Sequence, residues 1–324
     1  MATLPRVIVT RRLPGPVEAS LRERFDVQFA PRDQPTTADD LQRALGQADG
    51  LLATVTDKLT AEVLAAYPLR TRIIANFGVG TDNIDLVAAQ AHEIVVSNTP
   101  DVLTDSTADL ALTLILMTLR RAGEGERQLR SGRWLGWSPT HLLGAHLSGR
   151  TLGIVGMGRI GRAVAHRAHH GFGMRVLCFN PSALSPVELA GVGAEPRATL
   201  EAVLAESDVV SLHCPSTAET RGMINAPRLA QMKRGSFLIN TARGDIIDDD
   251  ALVAALVSGH LAGAGLDVYR GEPHVDRRYL GLDNVVLLPH LGSATRETRE
   301  AMGLRAVGNL TAFFSGQPVP DRVI

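Results

Sequence analysis

The chain has 324 residues, of which 45% are hydrophobic and 21% are charged, and two domains are expected at this length. Its 33 basic and 34 acidic residues give a formal net charge of -1 at pH 7. The sequence therefore has no basic surplus for binding the phosphate backbone of a nucleic acid or an anionic membrane surface.

Rare residue types exclude further classes of protein. Neither of the two lysines, Lys58 and Lys233, follows a glycine, so the chain lacks the Gly-Lys pair of a P-loop that binds nucleotide phosphates. The two cysteines, Cys178 and Cys214, lie far apart, which excludes a disulfide framework and a cysteine-rich zinc site. We predict no metal site, and this use of cysteine is typical of the reducing cytoplasm.

No segment has the pattern of a signal peptide or a membrane span. The arginines near the N-terminus flank only a short apolar run, so we expect the mature chain to begin at Met1. The longest apolar run, residues 110–119, is about half the ~20 residues that a membrane-spanning helix needs. We expect a cytoplasmic protein in which this run forms a buried or interface helix.

Short β-rich runs alternate with helical patterns through most of the chain, which is typical of parallel sheets covered by helices. Five strands are predicted in the first hundred residues, near residues 6–10, 26–30, 50–55, 71–75 and 94–97. A helical pattern over residues 103–121 follows. Six more strands, which make a complete doubly wound unit, are predicted near residues 151–155, 174–179, 208–213, 236–240, 263–268 and 284–288. A last helix covers residues 297–314.

The first strand of the second series is followed by a glycine-rich motif. Gly156, Gly158 and Gly161 stand in the pattern Gly-x-Gly-x-x-Gly between a predicted strand and a predicted helix. The first glycine permits a tight turn, the second lets a pyrophosphate approach the backbone, and the third lets the helix lie close to the strand. The motif therefore predicts a dinucleotide-binding unit.

The two helical patterns flank this unit and suggest that the chain interleaves two domains. We predict a substrate (catalytic) domain formed by residues 1–99 plus 290–324, and a dinucleotide-binding domain formed by residues 100–289. The predicted class is α/β: a doubly wound parallel-sheet Rossmann cofactor domain is inserted into a smaller flavodoxin-like α/β substrate domain.

The residue that usually selects the cofactor departs from the common pattern. About 20 residues after the glycine motif, where an acid normally holds the adenosine ribose, the sequence has Asn180. Its amide can bind a hydroxyl and would not repel a 2′-phosphate, but no arginine or lysine follows closely to bind that phosphate. The sequence is therefore compatible with either NAD or NADP as the cofactor.

Three polar residues lie just after predicted strands of the second series. They are Arg243, Glu272 and His290. The carboxyl ends of strands face the ligand crevice of a doubly wound sheet. Arginine suits bidentate binding of a carboxylate, histidine can donate a proton near neutral pH, and an adjacent carboxylate would favour its charged form. Each alone could be structural, but their common location favours a reaction centre.

One predicted strand of the second series contains two closely spaced glycines. Gly263 and Gly265 lie in the predicted strand 263–268, where small residues permit a close approach to the backbone. We interpret this strand as one that lies beside a ligand.

Longer motifs resemble those of D-isomer-specific 2-hydroxyacid dehydrogenases, and are most similar to the glyoxylate/hydroxypyruvate reductase branch. The resemblance covers residues 45–315 and rests on NFGVGTDNID (76–85), VLTDSTADLA (102–111), NTARG (240–244), GLDV (265–268), EP (272–273) and PHLGSAT (289–295). It implies an oxidoreductase that transfers a hydride between NAD(P)H and a small 2-keto acid to give the D-2-hydroxy acid.

The resemblance also implies roles for individual residues. Arg243 would bind the substrate carboxylate and carbonyl, His290 would be the acid/base, and Glu272 would support His290. The backbone amides of Val79 and Gly80 would bind the carboxylate. The residues implied at the cofactor are Thr107, Gly156, Gly158, Arg159, Ile160, Gly161, Asn180, Pro215, Thr220, Thr241, Asp267, His290 and Ser293.

The segment 134–139, which contains Trp134 and Trp137, resembles the segment before the cofactor domain in glyoxylate reductases and favours a small acid as substrate. The two tryptophans could equally cap an apolar interface, and the resemblance implies a homodimer with an arm over residues 103–137. Two other functions stay open on this scaffold. They are a phosphite-type dehydrogenase and a non-catalytic nucleotide-sensing binding protein.

Overall fold

The structure is a computed structural model that describes residues 4–31 and 33–324, so the expected start at Met1 lies outside the described residues. The chain forms two compact units. The first comprises Met1–Leu103 and Ala294–Ile324, and the second comprises Thr104–Ser293.

The first unit is built on a five-stranded parallel sheet with the strand order β2-β1-β3-β4-β5. This is the flavodoxin-like order that the sequence predicted. Its strands are β1 (Arg6–Val9), β2 (Asp26–Phe29), β3 (Gly50–Thr54), β4 (Ile73–Phe77) and β5 (Val95–Ser97). Its helices are α1 (Gly15–Arg24), α2 (Ala38–Gln47), α3 (Ala61–Leu64), α4 (Leu86–Ala91) and, after the second unit, α13 (Arg296–Phe314).

Local sequence explains where these helices begin and how they pack. Thr37 and Asp85 precede α2 and α4, and each side chain accepts a hydrogen bond from a backbone amide of the first turn. Helix α13 packs beside α1 because Gly303 faces Val17, where an added Cβ would lie 2.5 Å from the valine side chain. The buried face of α13 includes Leu310, which belongs to the core below β1 and β4.

The second unit is built on a seven-stranded parallel sheet with the order β12-β11-β10-β9-β6-β7-β8, the doubly wound order with one extra strand at an edge. Its strands are β6 (Thr151–Val155), β7 (Arg175–Phe179), β8 (Ala194–Pro196), β9 (Val209–Leu212), β10 (Ser236–Asn240), β11 (Leu261–Leu266) and β12 (Val285–Leu287). Its helices are α5 (Thr104–Leu119), α6 (Ala122–Arg130), α7 (Arg159–Phe172), α8 (Pro186–Gly191), α9 (Leu200–Glu206), α10 (Ala226–Gln231), α11 (Asp249–Val257) and α12 (Arg277–Leu280).

Among the strands of the described residues, β8 is the one that the sequence pattern missed. It is three residues long, two of its residues are exposed and one is Pro196, so it carries neither an apolar run nor a clear alternation. An edge strand tolerates proline because one of its sides needs no ladder hydrogen bonds.

The close approach that Gly263 and Gly265 permit is made by helix α5, so these glycines do not by themselves support a strand beside a ligand. A Cβ at Gly265 would lie 2.8 Å from Thr118 Oγ1 and 3.1 Å from Leu114 Cβ, and one at Gly263 would lie 3.1 Å from the Thr118 methyl carbon. Both neighbours belong to α5. The glycines of β11 therefore let this helix lie close to the sheet.

The apolar run 110–119 forms most of α5, and several of its side chains, such as Leu114 and Ile115, are completely buried in the core of the second unit. Within residues 4–31 and 33–324, no helix is both long enough and apolar enough to cross a membrane.

We expect Gly265→Ala to destabilise the protein by about 1–3 kcal/mol, because the added methyl group would force α5 away from β11. The matched control is Gly171→Ala in α7, where an added Cβ meets no described atom within 4 Å and alanine should be neutral or stabilising. Thermal unfolding of the two variants checks this, and an unchanged melting temperature for Gly265→Ala would contradict the close packing.

Candidate active site

The glycine-rich loop between β6 and α7 fits the pyrophosphate of a dinucleotide. Gly156 has φ of 95°, and a Cβ there would lie 2.6 Å from Cys214 N, while one at Gly161 would lie 2.3 Å from Gly156 O. A Cβ at Gly158 would meet no described atom within 4 Å. The first and third glycines are thus required by packing, whereas the second borders open space at the start of α7. The backbone amides of this first turn suit a phosphate group.

Asn180 joins this loop to the segment that follows β7. Its Oδ1 accepts a hydrogen bond from Met157 N at 3.2 Å, and its Nδ2 donates to Ser182 O and Oγ at 3.2 and 2.7 Å. A carboxylate could accept the first hydrogen bond but could not donate the other two. The asparagine therefore stabilises the loop without placing a negative charge there.

A cavity of about 600 Å³ lies beside Asn180 and Ser182, and Arg197 is among the residues that line it. Sequence reasoning missed this arginine because it comes only after β8, which is the missed strand. Its guanidinium donates to Glu206 at 2.8–2.9 Å and to Glu195 at 3.3 Å. The positive charge at the cavity is therefore largely compensated by the two glutamates.

Arg243 follows β10 and is held by the strand's last residue. Asn240 is completely buried, its Oδ1 accepts from Ala242 N at 3.0 Å, and its Nδ2 donates to Arg243 O at 2.8 Å. The next residue, Gly244, lies against the segment after β11, since a Cβ there would be 2.0 Å from Tyr269 C. These contacts fix the backbone on both sides of the half-buried arginine.

His290 and Glu272 form the hydrogen-bonded pair that the sequence predicted. His290 Nδ1 lies 2.7 Å from Glu272 Oε2, and Glu272 Oε1 accepts from Tyr269 N at 2.9 Å. An ionised carboxylate can only accept, so Nδ1 carries the proton and Nε2 is directed away from the pair. Both side chains are about one-third exposed.

The charge of Glu272 is stabilised by its neighbours. Burial alone would raise the pKa of Glu272, but the hydrogen bond and positive charge of His290 outweigh it, with the amide of Tyr269 and the charge of Arg243 acting in the same direction, so the net pKa is lowered. Arg243 is therefore close enough for its charge to act on Glu272.

Asp267 organises the loop that carries His290. Its carboxylate is completely buried and accepts from Leu291 N at 2.7 Å and from Gly292 N at 2.9 Å, and its backbone oxygen accepts from His290 N at 2.9 Å. Burial raises the pKa of Asp267 in spite of the two amides that stabilise its charge. His290 has φ of 54°, an uncommon conformation for a side-chain-bearing residue that these bonds maintain.

The remaining residues implied at the cofactor are distributed around the same sheet edge. Thr107 Oγ1 donates to Gly292 O at 3.2 Å in the loop that ends at Ser293. Thr220 Oγ1 donates to Pro215 O at 2.7 Å after β9. Thr241 follows β10 directly, and its buried Oγ1 has no hydrogen-bond partner among the described residues.

The two residues whose amides are implied at the substrate carboxylate, Val79 and Gly80, belong to the first unit, where they follow β4.

His213 directly follows β9. Its Nε2 is 2.9 Å from Ser211 Oγ, and its carbonyl carbon would be 2.7 Å from a Cβ at Gly156. Desolvation of the ring lowers the pKa of His213 to about 4, so the imidazole is neutral at pH 7. The neighbouring Cys214 is also buried, which raises the pKa of its thiol to about 11.

Cys178 and Cys214 are both free thiols. Across the part of the chain that the structure describes, no group of three or more histidine, cysteine, aspartate or glutamate side chains is arranged to hold a metal ion.

We expect the low pKa of His213 to make the protein less stable as the pH falls from about 6.5 to about 4. The unfolded chain binds a proton there near the usual pKa of 6.5, whereas the folded chain does so only near 4, so unfolding takes up a proton between these values. His213→Gln should remove up to about 3 kcal/mol of this loss. Denaturant unfolding at pH 7 and near pH 4 measures it, with the exposed His92→Gln as control. If wild type and His213→Gln lost the same stability between pH 7 and pH 4, the low pKa of His213 would be contradicted.

Comparison with known proteins identifies the family of the chain. Residues 112–292 match the family described as D-isomer specific 2-hydroxyacid dehydrogenase, NAD binding domain. A glyoxylate reductase of Thermococcus kodakarensis is 45% identical over 98% of this chain and 96% of its own length. A glycerate dehydrogenase of Hyphomicrobium methylovorum is 39% identical over 96% of each chain.

Solved structures agree with these sequence matches. The NADPH-dependent glyoxylate/hydroxypyruvate reductase of Sinorhizobium meliloti, in complex with NADP and malonate, is 37% identical and covers 99% of this chain and 97% of its own, with a TM-score of 0.85. The resemblance indicated by the sequence motifs and the predicted α/β class are confirmed. The chain belongs to the family of D-isomer-specific 2-hydroxyacid dehydrogenases, which are NAD(P)-dependent oxidoreductases.

Proposed function

We propose that this protein reduces a small 2-keto acid of the glyoxylate or hydroxypyruvate type to the D-2-hydroxy acid, in a reversible reaction with NAD(P)H. The observation that carries the proposal is the His290–Glu272 pair, with the charge of Arg243 nearby, at an edge of the sheet whose glycine-rich loop fits a dinucleotide. Relatives named glyoxylate reductase, at 42–45% identity over nearly the whole chain, support the choice of substrate.

Substrate binding is assigned to one side chain and two backbone amides. The guanidinium of Arg243 binds the carboxylate and the adjacent carbonyl oxygen, a planar geometry that its paired N–H groups suit. The amides of Val79 and Gly80 bind the carboxylate without adding charge. Binding the substrate in one orientation supplies a large part of the rate enhancement in such reactions.

Proton transfer is assigned to Nε2 of His290. In reduction this atom gives a proton to the carbonyl oxygen, and in oxidation it takes one from the hydroxyl group. Glu272 keeps the other proton on Nδ1 and stabilises the imidazolium, while the Tyr269 amide holds the glutamate in place. When bound, NAD(P)H supplies the hydride that goes to the carbonyl carbon.

The cofactor is assigned to the second unit, with the pyrophosphate at Gly158, Arg159 and Ile160. Substrate binding is assigned to the sequence-based domain of residues 1–99 plus 290–324 and dinucleotide binding to residues 100–289, whereas the compact units divide after Leu103 and after Ser293. Asn180 does not repel a 2′-phosphate, but the charge of Arg197 is already engaged by two glutamates. We therefore expect NADH and NADPH to be used with KM values within about tenfold of each other, a difference of ~1.4 kcal/mol.

The assembly is proposed to be a cytoplasmic homodimer. Trp134, Leu135 and Trp137 are strongly exposed, with fractions of 50%, 100% and 84%, in a segment without regular secondary structure. Such an apolar group on a surface is typical of a protein interface, and a second copy of this chain is its proposed occupant.

The direct test is turnover with glyoxylate, hydroxypyruvate and pyruvate, each with NADH and NADPH, and with phosphite plus NAD or NADP. We expect reduction of glyoxylate or hydroxypyruvate. His290→Gln should lower kcat by roughly 10²- to 10⁴-fold and leave cofactor affinity unchanged, with the exposed His92→Gln as control. Oxidation of phosphite alone would identify a phosphite-type enzyme. Cofactor binding without any turnover would identify a nucleotide-sensing protein.

A second prediction concerns the pH dependence. The lowered pKa of Glu272 keeps its carboxylate charged across the neutral range, where it stabilises the protonated imidazole that reduction requires. In Glu272→Gln the neutral amide loses this effect, so the pH profile of kcat/KM for reduction should move to lower pH by about one unit, and its maximum should fall roughly 10- to 100-fold. Profiles of wild type and the exposed Glu219→Gln are the comparison, and an unshifted profile for Glu272→Gln would refute the role of the pair.

A further inference from the structure

The loop after β4 has three successive carbonyl groups that each accept a hydrogen bond within the first unit. Gly78 O accepts from Thr99 N at 3.0 Å. Val79 O accepts from Asn98 Nδ2 at 2.8 Å, and Gly80 O accepts from Asn76 Nδ2 at 2.8 Å. Because a peptide group is planar, fixing its carbonyl oxygen also fixes the direction of the N–H on its other side.

The amides of Val79 and Gly80 are available for a ligand. Neither N–H donates to another group among the described residues. The loop also cannot shift freely, since a Cβ at Gly78 would lie 2.7 Å from Val55 Cγ1. Asn98 therefore fixes the direction of the Gly80 N–H, which shares its peptide group with Val79 O. The Val79 N–H shares its peptide group with Gly78 O, which accepts from Thr99 N and lies 3.5 Å from Asn76 Nδ2. Asn76 also fixes the peptide group that follows these two amides, through Gly80 O.

Asn76 is fixed in a single orientation. It is completely buried, and its Oδ1 accepts from Asn83 Nδ2 at 3.2 Å, which leaves Nδ2 for Gly80. Asn83 Nδ2 also lies within 3.2 Å of Thr54 O and Asp57 O. If the Asn76 amide were flipped, its oxygen would face Gly80 O and its nitrogen would face Asn83 Nδ2. Two buried hydrogen bonds would then be lost.

Asn98 is held through its backbone. Its N–H donates to Asp321 O at 3.2 Å, and its carbonyl accepts from Asn309 Nδ2 at 3.1 Å. Asp321 is in turn bound by Arg305 at 2.7 and 2.9 Å. Replacing the side chain of Asn98 would therefore leave its backbone contacts intact and remove only the hydrogen bond to Val79.

We propose that Asn98 is a positioning residue that aims the Gly80 amide, that Asn76 supports the same loop through the peptide groups on either side of it, and that the two together set the affinity of the Val79 and Gly80 amides for the substrate carboxylate. The proposal rests on the proposed function, which assigns the carboxylate to these amides. It adds that two neutral side chains on the opposite side of the loop control the strength of this binding, although neither touches the substrate.

The main variant is Asn98→Ala, and the control is Gln42→Ala, which removes a side-chain amide that donates to Glu62 O elsewhere in the first unit. We expect the KM for the keto acid to rise about 3- to 10-fold, the range of one lost hydrogen bond. The kcat should stay within about twofold and cofactor affinity should not change. A merely structural role would instead lower kcat or stability and leave KM as it is.

Asn76→Asp is the second variant. It keeps the acceptor for Asn83 but, when ionised, cannot donate to Gly80 O or Gly78 O. The loop then loses this support on both sides of the two amides, so KM should rise again without a matching fall in kcat. A wild-type KM in both folded variants of an active enzyme would overturn the positioning role while leaving the proposed function intact. If Asn76→Asp does not fold, Asn98→Ala decides.

Calorimetric binding of oxalate, in the presence of NAD or NADP, gives a readout that needs no turnover. Weaker oxalate binding in Asn98→Ala than in wild type and Gln42→Ala supports the positioning role. If the wild type reduces no keto acid, the proposed function fails, and the oxalate affinities still decide the role of Asn98. Equal affinities, or no oxalate binding to the wild type, overturn it.

Discussion

The loop that carries His290 depends on the buried carboxylate of Asp267. Placing this charge in the interior is costly, and the raised pKa of Asp267 reflects that cost. Leu291 N and Gly292 N donate hydrogen bonds to this carboxylate. These bonds fix the conformation of the loop after β12. His290 is thereby kept at a positive φ, from which its ring meets Glu272. Asp267, which the resemblance implies at the cofactor, thus also supports His290, the proposed acid/base.

Neutral overall charge and anion binding are compatible because the positive groups are local and directional. The chain has a formal net charge of -1, and Arg197 at the cavity beside Asn180 is compensated by Glu195 and Glu206. Backbone amides at the start of α7 and the guanidinium of Arg243 can act on a phosphate or a carboxylate at short range without a basic surface.

The sequence predicted most of the fold because parallel strands that are buried on both faces, such as β6 and β10, appear as short continuous apolar runs. It also predicted the pairing of Glu272 with His290, since strand ends of a doubly wound sheet lie at a common edge. It could not predict β8, or that this strand brings Arg197 beside Asn180. The glycines of β11 could not identify their neighbour, because a close approach looks the same in sequence whether the neighbour is a ligand or a helix.

The two units use the same device at the end of a strand. Asn240 closes β10 and Asn76 lies near the end of β4, and both are completely buried. Each amide accepts one hydrogen bond and donates another to a loop carbonyl, that of Arg243 in one unit and that of Gly80 in the other. Aspartate could not donate, and leucine could do neither, whereas asparagine satisfies both groups without a buried charge. A buried asparagine at or next to the end of a parallel strand therefore fixes the loop beyond it, and the loops after Asn240 and Asn76 both carry groups assigned to the substrate carboxylate.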